Sequence, residues 1–311
     1  MLDMGAGSVY NNISVSPRGV RMKKNDPRSL LMLTASMVIF GSIGIFRRYI
    51  PLSSPALACF RGLSGALVLF LAAKAQKKTL NHHIGGKKTL WLALTGAVMG
   101  FNWIFLFEAY NYTTVATATL CYYMQPTIVM LLSPLLFSER LTGRKAVCVV
   151  LSLVGMVLVS GFAEGGIPAV SELKGVAFGL IAAVLYASVV IMNKKLPGLD
   201  AYEKTIIQLL GAAAALVPYL LFAGRPAAAT WTPGVLVMLL IVGVVHTGLA
   251  YALYFGSMDG LKAQTVALLS YLDPVVALAL SALVLKEHMT PFGIAGAALI
   301  IGAAVLSELK E

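Results

Sequence analysis

Charge is what this chain has least of. Only 12% of its 311 residues are Asp, Glu, Lys or Arg, where a soluble domain carries about a quarter. Cysteine is sparse as well: Cys59, Cys121 and Cys148 each fall inside an apolar run. That placement excludes a disulfide framework and shows no paired metal-ligand spacing, so the three read as small apolar core residues. Among four histidines there is no H-E-x-x-H; His82 and His83 adjoin in a basic loop, where a solvated surface is the plainer reading. No phosphate-cradling glycine loop and no nucleophile elbow occur. The sequence thus gives no sign of an enzyme, a cofactor or a metal site.

What fills the chain is apolar residue, 59% of the total. Its runs are long enough to cross a bilayer core, which takes about 20 residues of helix. An all-α integral membrane protein is the fold class this predicts. A net charge of +11 would suit a nucleic-acid binder, but the basic residues lie between apolar runs, so no nucleic-acid partner is expected. Residues 1–28 are polar, basic and contain Gly, Asn and Ser, and read as a disordered cytoplasmic tail. "MKKNDPRS", beginning at Met22, would make a natural start of its own. No small-residue cleavage site follows the first apolar run, which is therefore read as a retained helix.

Ten spans are expected, at about 30–48, 54–73, 89–110, 113–137, 143–161, 174–192, 202–223, 233–257, 262–285 and 291–308. Thr142 and Thr290 have the character of N-caps, with Pro291 at a first helical position. Of the 24 Lys and Arg, 18 fall on the side of the N-terminus, 5 on the other side, and Arg61 inside the second span. That bias places both termini in the cytoplasm.

The two halves match each other at an offset of 148. "FEAYNYTTVATATLCYYMQP" (107–126) falls on "FGSMDGLKAQTVALLSYLDP" (255–274), aligning Tyr123 with Tyr271 and Pro126 with Pro274. Glu139 and Thr142 fall on Glu287 and Thr290 in the same register. At a slightly smaller offset "FGSIGIFRRYIP" (40–51) meets "YASVVIMNKKLP" (186–197). A unit of five spans is odd, so the second copy enters from the opposite side. Such inverted repeats are common in secondary transporters, with the substrate site near the midplane between the repeats.

With "FSERLTGRKAVCVVLSLVGMVLV" (137–159) in one half and "LKEHMTPFGIAGAALIIGAAVL" (285–306) in the other, the chain resembles the EamA family of the drug/metabolite transporter superfamily. The likeness covers about residues 29–309, as one five-helix repeat over 29–161 and a second, inverted one over 174–309. It implies ten transmembrane helices around a central cavity lined mainly by helices other than the fifth and tenth. It also implies a multi-pass protein of a bacterial-type inner (plasma) membrane. The implied partners are a small-molecule substrate, membrane lipid, and a proton or other coupling ion, with a homodimer among the assemblies left open. The family includes exporters of amino acids and related metabolites, and some importers. One departure stands out: Gln125 occupies the place of Asp273.

An ionised group at the bilayer centre is expensive, so each one is expected to face a cavity or a partner. Four qualify: Arg61, Glu108, His246 and Asp273. Asp273 and His246 lie about eleven and thirteen residues into their spans, near the midplane, and are expected to form a proton-sensitive pair. The plainer alternatives are an Asp273 that caps backbone freed by Pro274, and a His246 satisfied within the core. Arg61 and Glu108 belong to the outer half and are expected to pair; alternatively Arg61 receives a substrate carboxylate, which its planar fork suits. Trp103, Tyr122, Tyr123, Tyr251, Tyr254 and Tyr271, with Asn102 and Gln125, are expected to line the cavity, against the ordinary role of packing. Glu139 and Glu287 read as structural acids at the N-termini of the helices that follow them. Pro126 and Pro274 are expected to kink their helices and free carbonyls. Gly96 and Gly100 form a G-x-x-x-G for close helix packing.

With His neutral, the four ionisable groups carry a net −1, which favours a cation, a zwitterion or a proton over an anion. The expected function is proton-coupled export of amino-acid-like zwitterions by alternating access. The alternatives are a carrier of organic cations, choline-like or drug-like amines, a channel, or a non-transporting membrane receptor.

Overall fold

The structure is a computed structural model that describes residues 26–77, 85–137, 142–164, 169–196, 199–222, 232–258, 260–261 and 263–308. The expected tail and the loops bearing His82, His83 and Glu139 lie outside the described residues, apart from the last residues before the first helix. All regular structure among the described residues is helical: α1 (Pro27–Arg48), α2 (Ser54–Ala75), α3 (Gly86–Tyr112), α4 (Val115–Tyr122), α5 (Gln125–Phe137), α6 (Gly143–Val159), α7 (Val170–Lys194), α8 (Ala201–Phe222), α9 (Pro233–Leu240), α10 (Ala250–Met258), α11 (Ala263–Ser270), α12 (Leu272–Leu283) and α13 (Pro291–Glu308). A π-helical segment, Ile241–Leu249, joins α9 to α10, and a 3₁₀ turn, Phe162–Glu164, follows α6.

Among the described residues, seven helical stretches are long and apolar enough to cross a membrane, by length and composition. The other three expected spans form shorter helices: α6, the α11–α12 pair and α13. Exposed Leu63, Leu67 and Leu71 make a stripe along α2, and Val147, Val150, Val154 and Val157 another on α6. Surfaces so apolar belong in lipid rather than water.

Capping follows the sequence. The Thr142 hydroxyl accepts the Lys145 amide at 3.4 Å, and the Thr290 hydroxyl accepts that of Gly293 at 3.1 Å. Asp26 caps α1, its carboxylate accepting from both the amide and the hydroxyl of Ser29 (3.0 and 2.9 Å). Those two bonds hold the Asp26 carboxyl below its ordinary pKa.

Three expected spans are not continuous α-helices. The fourth breaks at Tyr123–Met124, between α4 and α5, and the ninth at Tyr271, between α11 and α12. Pro126 is the second residue of α5 and Pro274 the third of α12. Neither has an N–H to donate back to the carbonyls of Tyr122 and Ser270, and each ring crowds that carbonyl. The break therefore falls just upstream of each proline, on the two repeat-related tyrosines. Their backbones match closely, φ −73°, ψ 4° for Tyr123 and φ −75°, ψ −3° for Tyr271. In the eighth span nothing in the apolar pattern marks the π segment.

The halves interlock. In the register of the repeat, α1 corresponds to α7, α3 to the α9–α10 span, and α4–α5 to α11–α12. Helix α1 packs against the π segment, α10 and α12, while α7 packs against α3, α4 and α5. Helices α2 and α8 meet each other, as do α6 and α13. Exchanging the halves leaves this pattern unchanged, as a two-fold repeat requires. Glycines permit the closest approaches. A Cβ on Gly96 would strike the Gln208 carbonyl of α8, and one on Gly211 would lie 2.5 Å from the Ala93 carbonyl of α3. The G-x-x-x-G of α3 thus faces α8.

Candidate functional site

Arg61 lies in the middle of α2, 4% exposed. Its guanidinium carbon sits 4.3 Å above the Trp103 ring and 5.4 Å from that of Phe107, both on α3. Its Nε donates to the Thr247 hydroxyl at 3.1 Å. Glu108 lies elsewhere: its carboxylate accepts from Asn111 at 3.2 Å, and Arg47 is within its electrostatic range. The expected Arg61–Glu108 pair is therefore not formed. An aromatic face and a hydroxyl hold Arg61 instead, and both suit a guanidinium without cancelling its charge.

Asp273 stands in the first turn of α12, where α1 passes so close that a Cβ on Gly41 would strike the Asp273 carbonyl. The Tyr123 hydroxyl is a near neighbour of its carboxylate. His246, 2% exposed, is satisfied elsewhere: Nε2 meets the Ser42 hydroxyl at 2.9 Å and Nδ1 the Ile241 carbonyl at 3.3 Å. Phe46 packs edge-on at 4.6 Å. The expected Asp273–His246 pair is likewise not formed. Helix α1 contacts both residues, with Gly41 toward one and Ser42 toward the other.

A group of tyrosines lies near Arg61 and Asp273. Tyr110 and Tyr122 lie within electrostatic range of both charges, and Tyr251 within that of Arg61. Tyr122 stacks on Tyr186 at 5.3 Å and meets Tyr123 edge-on at 6.0 Å. Tyr251 stacks on Phe255 at 5.8 Å, and Phe40 touches both Tyr251 and Tyr254. Tyr122, Tyr123, Tyr251 and Asp273 are each half-buried. Arg61 and Asp273 make no ion pair with each other, so within this group both charges stay available.

The remaining expected residues divide. Gln125 and Tyr271 are half-buried beside the two helix breaks. Trp103 is buried beneath Arg61, a support rather than a lining residue. Asn102 is fully buried and donates to the Ala182 carbonyl at 2.6 Å, tying α3 to α7. The sequence did not single out Thr247, Tyr110, Tyr186 or Ser42. Tyr186 had a signal: the repeat aligns it with Phe40, and both touch the tyrosine group.

Glu287 does not serve the helix that follows it. It reaches the other half, where Oε1 meets Arg48 at 2.8 Å and Oε2 accepts the amide of Val115, first residue of α4, at 2.8 Å. Ser281 donates to the same oxygen at 2.5 Å. Arg48 is a third exposed, so the ion pair itself adds little. The amide and hydroxyl lose their acceptor in Glu287→Ala, which is expected to destabilise the protein by about 1–3 kcal/mol. Thermal unfolding in detergent measures this, and an unchanged midpoint would show the clasp to be idle. Beside the clasp an open crevice of about 260 Å³ is lined by Arg48, Asn111, Tyr112, Thr113, Thr114 and Glu172. None of the twelve expected site residues lines it.

The profile of the EamA-like transporter family matches residues 27–161 and again residues 173–309. An uncharacterized transporter of Bacillus subtilis (strain 168), YxxF, is 29% identical over 259 residues, spanning 83% of this chain and 82% of that protein. An uncharacterized transporter of Archaeoglobus fulgidus is 27% identical over 285 residues, 90% of this chain and 95% of its own. The protein RarD of Streptomyces exfoliatus is 29% identical over 218 residues, 69% and 65% of the two chains. A crystal structure of a protein shares the fold, with a TM-score of 0.63 at 18% identity over 90% of this chain and 96% of that one. The family and the first two of these relatives are named as transporters. With both halves matched in turn, the chain belongs to the EamA-like transporter family and is a membrane transporter of that two-repeat fold.

Proposed function

We propose that the chain exports amino-acid-like zwitterions across a bacterial-type inner membrane in exchange for protons, by alternating access between its two halves. One observation carries the reading: Arg61 and Asp273, unpaired with each other and on opposite repeats, lie within electrostatic range of the same two tyrosines, Tyr110 and Tyr122. A carboxylate suits the planar guanidinium fork, and an ammonium suits the acid and the tyrosine faces. The carboxyl of Asp273 is also the group that would take up the coupling proton. The charge bias of the loops supports cytoplasmic termini, and hence an Arg61 in the outer half.

Binding to the purified protein tests the reading with three ligands: an amino acid, its carboxamide and its N-acetyl derivative. Each blocked form is expected to bind at least tenfold more weakly, since each leaves one buried charge without a partner. Reconstituted vesicles should then show counterflow of labelled substrate and flux driven by a pH gradient. Amines binding as tightly as zwitterions would favour a carrier of organic cations, for which the tyrosines would serve as an aromatic cage. Binding without counterflow would indicate a receptor.

A further inference from the structure

The guanidinium of Arg61 is fixed by two contacts of different kinds. The Trp103 ring at 4.3 Å sets the plane of the fork. The bond from Nε to the Thr247 hydroxyl at 3.1 Å sets its rotation within that plane. With Nε occupied, the two terminal nitrogens form the edge that remains for a ligand.

The local fold is built around that hydroxyl. Thr247 has one hydroxyl hydrogen, donated to the Val242 carbonyl at 3.0 Å. Its oxygen is left as an acceptor, facing Arg61. The donation spans five residues, the spacing of the π segment, and the His246 ring meets the Ile241 carbonyl at the same spacing. In an α-helix the same side chain would lie over a carbonyl three or four residues back, rotated about the axis. π turns are rare and occur often at functional sites.

Space is cleared for this arrangement from the facing helix. A Cβ on Gly65, one turn beyond Arg61, would strike the Thr247 methyl. Gly243 and Gly248 admit Ser64 and Val68 of α2 in the same way. Thr247 is fully buried, so its hydroxyl meets neither solvent nor ligand.

We infer that Thr247 is a positioning residue that aims the Arg61 fork, and that it thereby sets the preference for substrates with a carboxylate. This rests on the zwitterion reading. It adds that selectivity lies in a side chain that never touches the substrate, held by a π segment of the opposite repeat.

The test compares the affinity of an amino acid with that of its carboxamide in Thr247 variants. Thr247→Val keeps the shape and removes the hydroxyl. It is expected to weaken the amino acid at least tenfold and the carboxamide less than twofold. Thr247→Ser is expected to retain the preference of the unmodified chain. Thr247→Ala and Thr247→Ser both lose the methyl and differ from each other only in the hydroxyl, so this pair gives the answer even where Thr247→Val does not fold. A ratio unchanged between Ala and Ser, or an equal loss for both ligands, would overturn the inference and leave the zwitterion reading intact. No preference for the amino acid in the unmodified chain would overturn both.

Discussion

Asp273→Asn is expected to abolish proton-driven transport in reconstituted vesicles while leaving the protein folded. The substitution is nearly isosteric. The close approach of Gly41 is to the backbone of residue 273, which does not change. What disappears is the acid on the second half, at the position where the first half has Gln125. Two measurements separate its roles. Loss of amino-acid binding, by tenfold or more, identifies Asp273 as the partner of the substrate ammonium. Retained binding and counterflow, with loss of only the gradient-driven flux, identifies it as the proton site. Wild-type transport in this variant would remove Asp273 from the mechanism.

Gly96→Val and Gly211→Val are each expected to prevent accumulation of folded protein. At both positions the added Cβ meets a backbone carbonyl of the facing helix, which no change of rotamer can move aside. Separating α3 from α8 would open the wall behind Trp103 and Arg61 and forfeit the packing on which helix association in lipid depends. Overpacking typically costs 1–3 kcal/mol where side chains can yield, and these backbone contacts should exceed about 3 kcal/mol. Gly302→Ala in α13 is the control: no atom lies within 4 Å of its Cβ, and the change should be neutral or stabilise by up to about 1 kcal/mol. Equal yields for Gly96→Val and Gly302→Ala, by fluorescence-detected chromatography, would show that the α3–α8 contact is dispensable.

The sequence made the helices legible because lipid leaves few choices: an apolar run of sufficient length has to be helical. Thr142, Thr290 and Pro291 could be placed because a cap is local. Gly96 could be placed because its spacing is. The repeat register found the tyrosines beside the helix breaks, since Pro126 and Pro274 act on their own chain within one turn. Partners were a different matter. Arg61 and Thr247 stand 186 residues apart, and Glu287 and Val115 stand 172 apart. Reasoning from charge assigned Glu108 to Arg61 and Asp273 to His246, because opposite or titratable groups at similar depth are the natural choice. The protein holds Arg61 with a ring and a hydroxyl, and His246 with a hydroxyl and a carbonyl. Neutral partners of that kind carry no mark in an apolar sequence. Nor does a π segment, whose residues look like those of any other buried helix.

The interlocking of the halves also bears on how the protein is made. The glycine face of α3 is synthesised roughly a hundred residues before α8, its partner; at 5–20 residues per second that is about 5–20 s. Until α7 and then α8 arrive, α3 has only its own half to rest on, and α1 has neither α10 nor α12. A five-helix half expressed alone would keep those faces open to lipid indefinitely. Assembly is thus a late event, set by the arrival of the second half at the ribosome exit, and membrane quality control would meet the first half as an unfinished protein.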